Sequence, residues 1–362
     1  MWTPVLPDQL AALPVEELST SAAPARWHGP LRSLGTHCRD GAWVVSGSRD
    51  VAVALAAPAL SVAPPAGPAG PAASLLSRMA RFSDGDDHRL RRDLVIRLLP
   101  PVAKVARAAG ARANDYLRRR AAAFDIMPMA RLLPAEVLAR ALGLAPDAAD
   151  RAAVLTGTLC DALTPSLVPR TGTGTAGDDA ARELAALMAS SGYRDTAEQV
   201  AVISILFQAR DSTAALIGSA VLARPANAAV SASPALARRG LRRGAFVAPT
   251  PGDRVEYVLR SDAPAQCTRR TATSDVQIGD AIIAGGAAVW IFVGTAERGS
   301  GMPATFGTGP HGCPGAAHAT AIARQVVTVL HADGWRPLAG QRIDLEPRPN
   351  LRVPARVMVS RP

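Results

Sequence analysis

Residues 197–224, AEQVAVISILFQARDSTAALIGSAVLAR, continue for 28 residues with no proline until Pro225. At 1.5 Å per residue this predicts a helix ~42 Å long, enough to cross a whole domain and belong at its centre. Thr196 and Gln199 have the spacing of a capping box at its head. A polar stretch, QARDST at 208–213, interrupts the apolar run near the midpoint. A core helix has no use for such residues, so the stretch is either a solvated turn or part of a site.

The remaining segments supply elements to surround this helix. GAWVVSGSRDVAVALAAPAL (41–60) reads as a strand followed by a helix, and 63–73, broken by proline and glycine, as a loop. Residues 85–123 are arginine-rich with helical period, 134–163 read as two more helices, and TGTGTAGDD (171–179) as a loop. Between 272 and 294, strand-like runs are divided at Gly279-Asp280 and Gly285-Gly286, both good turn formers. Ala319, Ile322, Ala323, Val326, Val327 and Leu330 then follow a helical period up to Gly334. With no internal repeat and no linker, the pattern predicts one domain over 1–362, mainly α with small β-sheets.

Composition removes several classes of function. The chain of 362 residues carries a formal net charge of +10, nearly all of the positive charge as arginine, with Lys104 the lone lysine. Those arginines are dispersed, without the basic run and interleaved aromatics of a nucleic-acid groove, which argues against nucleic acid. Cys38, Cys160, Cys267 and Cys313 lie far apart, which argues against a zinc knuckle or disulfide framework and for a reducing cytoplasm. Pro4, Pro7 and Pro14 break the amino-terminal stretch where a signal peptide needs an apolar run, and no segment reads as a membrane span.

FGTGPHGCPG at 306–315 sets one cysteine among closely spaced glycines. Pro314 suits the first position of the helix that follows, which predicts that Cys313 lies just before a helix amino terminus. There the dipole and unpaired N–H groups lower a thiol pKa and present sulfur as a metal ligand. Gly307, Gly309, Gly312 and Gly315 permit close approach, so a flat cofactor could lie over the loop.

Phe306, Gly307, Gly309, His311, Cys313 and Gly315 resemble the cysteine-loop signature of the cytochrome P-450 family, FxxGxxxCxG. The resemblance implies haem b held between a long distal helix and this loop, with Cys313 on the iron. DDHRLRRDLV resembles the family's propionate-binding helix, so His88 and Arg92 would contact the haem propionates; Arg270 and His311 would add further contacts. QARDST resembles the distal acid-alcohol pattern, which would assign proton delivery to Asp211 and Ser212 with Thr213 as a substitute. Gln208 and Ala209 replace the small residue and glycine that open an oxygen groove in that pattern.

The family's ExxR pair is altered. Arg260 matches its arginine, but Tyr257 stands where the glutamate belongs and Glu256 is one residue out of register. Since one residue turns a side chain about 100° around a helix, Glu256 is not expected to replace the missing partner, and Arg260 is expected to be partly solvated. The meander before the cysteine loop is also nearly missing, for only a few residues separate Arg298 from Phe306.

The implied function is a cytochrome P-450-type monooxygenase or oxidase of secondary metabolism. Its substrate is a small molecule, free or carried on a carrier protein, and its expected electron donor is ferredoxin-like; Arg238, Arg239, Arg242 and Arg243 read first as a solvated helix face and second as a docking face for that donor. The loop 63–85, the segment 156–178 and Ala263 to Gln266 are the expected pocket walls. The competing reading is a helper subunit of the same fold, without haem chemistry, that stabilises a glycosyltransferase.

Overall fold

The computed structural model describes residues 15, 25–62, 69–120, 122–163, 175–223, 250–296, 304–346, 348 and 350–361. The helices of the amino-terminal half are α1 (Ala25–Leu34), α2 (Ser48–Ala56), α3 (Pro71–Ser77), α4 (Gly85–Leu98), α5 (Val102–Leu117), α6 (Met127–Ala141) and α7 (Pro146–Leu163). They are followed by α8 (Ala176–Ser190), α9 (Thr196–Leu222), α10 (Pro251–Ser261) and α11 (Ala316–Ala332).

The long helix α9 is central, as its length demands. Ile203, Leu206, Ala214 and Ile217 are fully buried on different sides of it, and α4, α6, α7, α8, α10 and α11 all pack against it. A helix apolar on all sides must be covered in this way. It is long and apolar enough to cross a membrane, yet most of its apolar stretch is covered by the surrounding helices. Its cap differs from expectation: Asp195 Oδ1 accepts the Ala197 N–H at 2.7 Å, and Thr196 is the first helical residue. Aspartate is a strong N-cap, so the residue before the threonine takes the position. Gln199 turns back to donate to the Tyr193 carbonyl at 2.9 Å.

Two expected loops are shorter than their sequences suggest. Helix α3 begins at Pro71, with proline in the first turn, where its missing N–H costs nothing. The next N–H, of Ala72, donates to Asp178 Oδ1 of α8 at 2.9 Å. Gly70 admits that carboxylate, since a Cβ there would lie 2.7 Å from Asp178 Oδ2. Helix α8 likewise begins at Ala176, inside the predicted loop; residues 63–68 and 164–174 lie outside the described residues. Pro100 and Pro101 divide the helical stretch after 85 into α4 and α5, and α6 begins before its predicted start.

Three small sheets flank the helices. Strands β1 (His37–Arg39), β2 (Ala42–Val45), β3 (Leu60–Ser61), β5 (Thr268–Ala272) and β8 (Ala288–Ile291) form one, in the order β1-β2-β8-β5-β3. Within it β2 and β8 run parallel, Ala42 opposite Ala288 and Val45 opposite Ile291, while β5 is antiparallel to β8 with Arg270 opposite Val289. Strands β6 (Val276–Ile278) and β7 (Ala281–Ile283) make the hairpin that the Gly279-Asp280 turn predicts. The third sheet, β4 (Ala123–Asp125), β10 (Met358–Ser360) and β9 (Arg336–Pro337), secures the carboxyl-terminal strand between two others.

The central packing yields a direct test. Leu133 of α6 is fully buried in the same apolar cluster as Ile203 and Leu206. Truncation there leaves a cavity that helices locked on all sides cannot close. Leu133→Ala is expected to cost about 2–5 kcal/mol in urea unfolding at unchanged m-value.

Candidate functional site

The cysteine loop is a compact fold of tight turns. A 3-10 turn, Ala304–Phe306, brings the Phe306 carbonyl to the Cys313 N–H at 2.8 Å, and a second, Gly309–His311, completes the bend. Gly307 and Gly309 have φ of +67° and +68°, the left-handed region that favours glycine. Gly309 is required on a second ground, because a Cβ there would lie 3.1 Å from the Leu55 carbonyl oxygen and 3.3 Å from the Ala56 Cα at the end of α2.

Helix α11 starts at Ala316 with Gly315 as its N-cap, so Pro314 precedes the helix instead of opening it. The Gly315 N–H favours the ionised form of the Cys313 sulfur. The thiol is exposed, yet the protein around it desolvates it enough to push its pKa up, against that N–H and the charges of Arg81 and Arg92. The expected lowering by the helix end is thus corrected: burial is the larger effect. A bound cation of higher charge would reverse the balance, since a coordinating thiol is deprotonated outright.

Both predicted histidines are present, with partners the sequence does not show. His88 is buried on α4; its Nδ1 lies 2.8 Å from the Ala80 carbonyl and its Nε2 3.0 Å from the Pro310 carbonyl. The ring thereby joins a 3-10 turn, Ala80–Phe82, to the cysteine loop. It also lies against the His311 ring, with centroids 3.9 Å apart. His311 Nε2 in turn is 3.1 Å from Asp84 Oδ1, while Asp84 Oδ2 accepts from Ser61 Oγ at 2.6 Å and from the Val62 N–H at 2.9 Å. Burial opposes the Asp84 charge, but these hydrogen bonds outweigh it and hold its carboxyl below the ordinary range. Burial, with the charges of His88 and Arg270 adding to it, lowers His311 to about 4 despite Asp84. At neutral pH His311 is therefore uncharged, and its N–H donates to Asp84.

The arginines differ from the histidines. Arg270 on β5 is buried, donates to Thr268 Oγ1 at 3.0 Å and to its neighbour's carbonyl, and is depressed to about 10 by burial and then by Arg81. Arg92 is half-buried on α4, and its charge acts on Cys313. Arg81 keeps accessible surface, yet its surroundings desolvate it and lower its pKa. Among the described residues, none of these three guanidinium groups is paired with a carboxylate. An exposed sulfur faced by uncompensated cations suits a ligand with an acceptor for the thiolate and its own negative groups. Haem, a flat iron complex with two carboxylates, has both, and these residues fit it.

Sequence reasoning missed Arg81 and Asp84. Arg81 precedes His88 by seven residues, off the HxxxR spacing, and Asp84 looks like the helix cap of α4, although its side chain makes no capping bond. Of the expected pocket walls, Gln266 is buried with its Oε1 2.8 Å from His28 Nε2.

On α9 the QARDST segment is helical throughout, and Arg210, Asp211 and Thr213 are buried, which removes the solvated-turn alternative. Asp211 Oδ1 accepts from Arg210 at 2.9 Å and Oδ2 from Arg348 at 2.6 Å, and both arginines also reach Asp161 at the end of α7. Ser212 Oγ donates to the Gln208 carbonyl at 2.9 Å. Thr213 Oγ1 is buried with no hydrogen-bond partner among the described residues. The Gln208 amide folds along its own helix to Ser204 Oγ at 2.7 Å.

Glu256 corrects an expectation. It bonds Arg260 Nε at 2.7 Å, because residues four apart share a helix face, as do residues three apart. Arg324 of α11 joins it at 3.4 Å. Arg260 is nonetheless 35% exposed, partly solvated as expected. Residues 297–303, where the meander would lie, are outside the described residues, as are Arg238, Arg239, Arg242 and Arg243.

No family model matches this sequence, and no curated protein does. Solved structures match along nearly its whole length. OxyD, a cytochrome P-450 involved in the biosynthesis of vancomycin-type antibiotics, matches at TM-score 0.73 and 22% identity, over 96% of this chain and 99% of that one. The cytochrome P-450 BioI, in complex with an acyl carrier protein ligated to hexadec-9Z-enoic acid, matches at TM-score 0.72 and 18% identity, over 96% and 100%. Cytochrome P-450 CYP109Q5 from Chondromyces apiculatus matches at TM-score 0.72 and 21% identity, over 95% and 96%. The chain has the cytochrome P-450 fold.

Two measurements check the site's geometry. Gly309→Ala combines left-handed backbone with a contact against α2, and is expected to lower stability by about 1–3 kcal/mol in chemical denaturation. His311 is depressed when folded, so the unfolded chain binds its proton first. In the cofactor-free protein stability should fall as pH drops from about 6.5 towards about 4, and His311→Gln should flatten that part of the profile.

Proposed function

We propose that this chain is a haem-thiolate oxidoreductase, a monooxygenase that acts on a small secondary-metabolite intermediate. The observation that supports it is the exposed Cys313 sulfur within reach of the charges of Arg81 and Arg92, with Arg270 acting on the neighbouring His311 and no carboxylate paired to any of the three among the described residues. A helper protein would have no use for a thiol in that setting.

When bound, haem supplies dioxygen activation at a thiolate-ligated iron. The chain's own residues do the rest. Cys313 would hold the iron through its sulfur, whose ionised form the Gly315 N–H favours. His88 fixes the loop to the turn at Ala80, which keeps the ligand in place without a side-chain rearrangement. Arg92 and Arg270 neutralise the cofactor's carboxylates. Ser212 holds a transferable proton at Oγ, now donated to Gln208, and Thr213 Oγ1 offers a second hydroxyl beside it. Asp211 would pass protons at its carboxylate, which Arg210 and Arg348 hold in the structure.

Electrons come, in this reading, from a ferredoxin-type protein drawn by the net positive charge, in a cytoplasmic setting. The likeness to BioI supports a substrate carried on a carrier protein.

The test is the difference spectrum of the reduced protein with carbon monoxide. The expected result is the red-shifted Soret band of a thiolate-ligated complex, abolished in Cys313→Ser. A protein that stays colourless after haem-supplemented expression overturns the reading in favour of the helper. Asp211→Asn is expected to keep the spectrum and to lower turnover about a hundredfold.

A further inference from the structure

Between α4 and the first half of α9 lies a cavity of about 460 Å3, a volume within the range of small-molecule sites. Its mouth is formed by exposed residues: Arg78 just after α3, Leu90 on α4, and Asp195 to Ala197 at the head of α9. Its floor is formed by buried ones, Met79, Ala80, Val95, Val200, Ala201 and Ser204. Arg81, Arg92, Arg270 and Cys313, proposed above to hold the cofactor, are not among its lining residues.

Charge is confined to the mouth. Arg91 donates to Asp87 at 2.7 Å and to the Ser77 carbonyl at 2.8 Å, and Asp195 is occupied by the Ala197 N–H. Arg78 is exposed, with its Nε 3.3 Å from the Ser74 carbonyl. The floor beyond them carries no charge, so an ion taken into it would lose its water and gain no partner. One polar side chain stands there. Ser204 is fully buried, and its Oγ accepts the Gln208 amide at 2.7 Å. A hydroxyl donates as well as accepts, and no acceptor for the Ser204 proton is present among the described residues. What the floor leaves open is therefore a donor, and the group that completes it is an acceptor such as a carbonyl or ether oxygen.

We infer that this cavity binds an uncharged, largely apolar molecule with one hydrogen-bond acceptor, its oxygen at Ser204 and its hydrocarbon part between α4 and α9. Apolar surface covered by Met79, Val95, Val200 and Ala201 drives the binding, and Ser204 fixes which end enters. Ser204 precedes Ser212 by eight residues, about 12 Å along the helix. On the monooxygenase reading the occupant is the substrate, held on the helix that carries the proposed proton donors; the binding site itself does not need that reading.

The probes are 2-nonanone, an uncharged nine-carbon ketone, and nonanoate, its charged counterpart. Each is titrated calorimetrically into the chain before and after loading with haemin, with circular dichroism to confirm that each variant is folded. 2-Nonanone is expected to bind at one site in both forms. Ser204→Ala should weaken it about three- to tenfold, the worth of one hydrogen bond, and leave whatever affinity nonanoate has unchanged, since a carboxylate does not enter the floor. Ala201→Phe, which fills the floor, should abolish ketone binding; if that variant does not fold, the Ser204→Ala comparison decides alone. The inference is overturned if the wild-type chain does not bind 2-nonanone, or if either folded variant binds it as wild type does. It is equally overturned if Ser204→Ala loses nonanoate to the same extent, if nonanoate is the tighter ligand, or if haemin expels the ketone, which makes the cavity part of the cofactor's own bed. A chain that binds 2-nonanone but takes up no haemin keeps this site and overturns the haem reading instead.

Discussion

The imidazole of His88 holds the site together. One nitrogen faces the Ala80 carbonyl eight residues before it, and the other faces the Pro310 carbonyl 222 residues after it. Without that bridge the 3-10 turn carrying Arg81 and the loop carrying Cys313 would be separate pieces of surface. With it, the turn carrying Arg81 is joined to the loop carrying His311 and Cys313. The histidine's value is geometric: its ring lies between two backbones with one nitrogen toward each carbonyl, and the nitrogen that carries the proton donates to the carbonyl it faces.

The long helix contributes a different kind of order. Asp211 is joined to Arg210 and Arg348, and Asp161 shares both arginines, so α7, α9 and the segment at 348 meet in one buried network. Burial makes such pairs costly to break, because removing one partner strands the others. The same network that brings an acid to the middle of α9 also restrains it. The carboxylate proposed above to deliver protons is thus also a structural lock, whereas Ser212 Oγ is tied only to its own helix.

Much of this was legible from residue order. The breaker-free run around Ile203 and Leu206 could be little other than a central helix, and the glycines around Cys313 marked a loop built for close approach. What escaped was set by contacts between distant segments. Gly70 and Pro71 read as a loop until Asp178, more than a hundred residues on, is seen capping α3. Glu256 looked out of register by the ExxR spacing alone, although a helix brings positions four apart together as readily as three. The cysteine's titration was misjudged for a related reason: the dipole at the head of α11 is visible in sequence, but the desolvation that outweighs it comes from the whole surrounding fold. Arg81 had no local signature, and its significance depends on which neighbours lack acids.

The parallel pairing of β2 with β8 has a consequence for biosynthesis. Val45 meets Ile291, and Ala80 and Pro310 are bridged across a similar span, so early and late parts of the chain build the same corner. Contacts this distant close slowly, since the loop entropy comes before the reward. During translation the amino-terminal strands emerge long before their partner, and the thiol follows later still. Helices α4, α6, α7 and α8 can gather on α9 while synthesis continues, but α11, which also packs on α9, follows the thiol, so the corner around Cys313 and the body behind it close together.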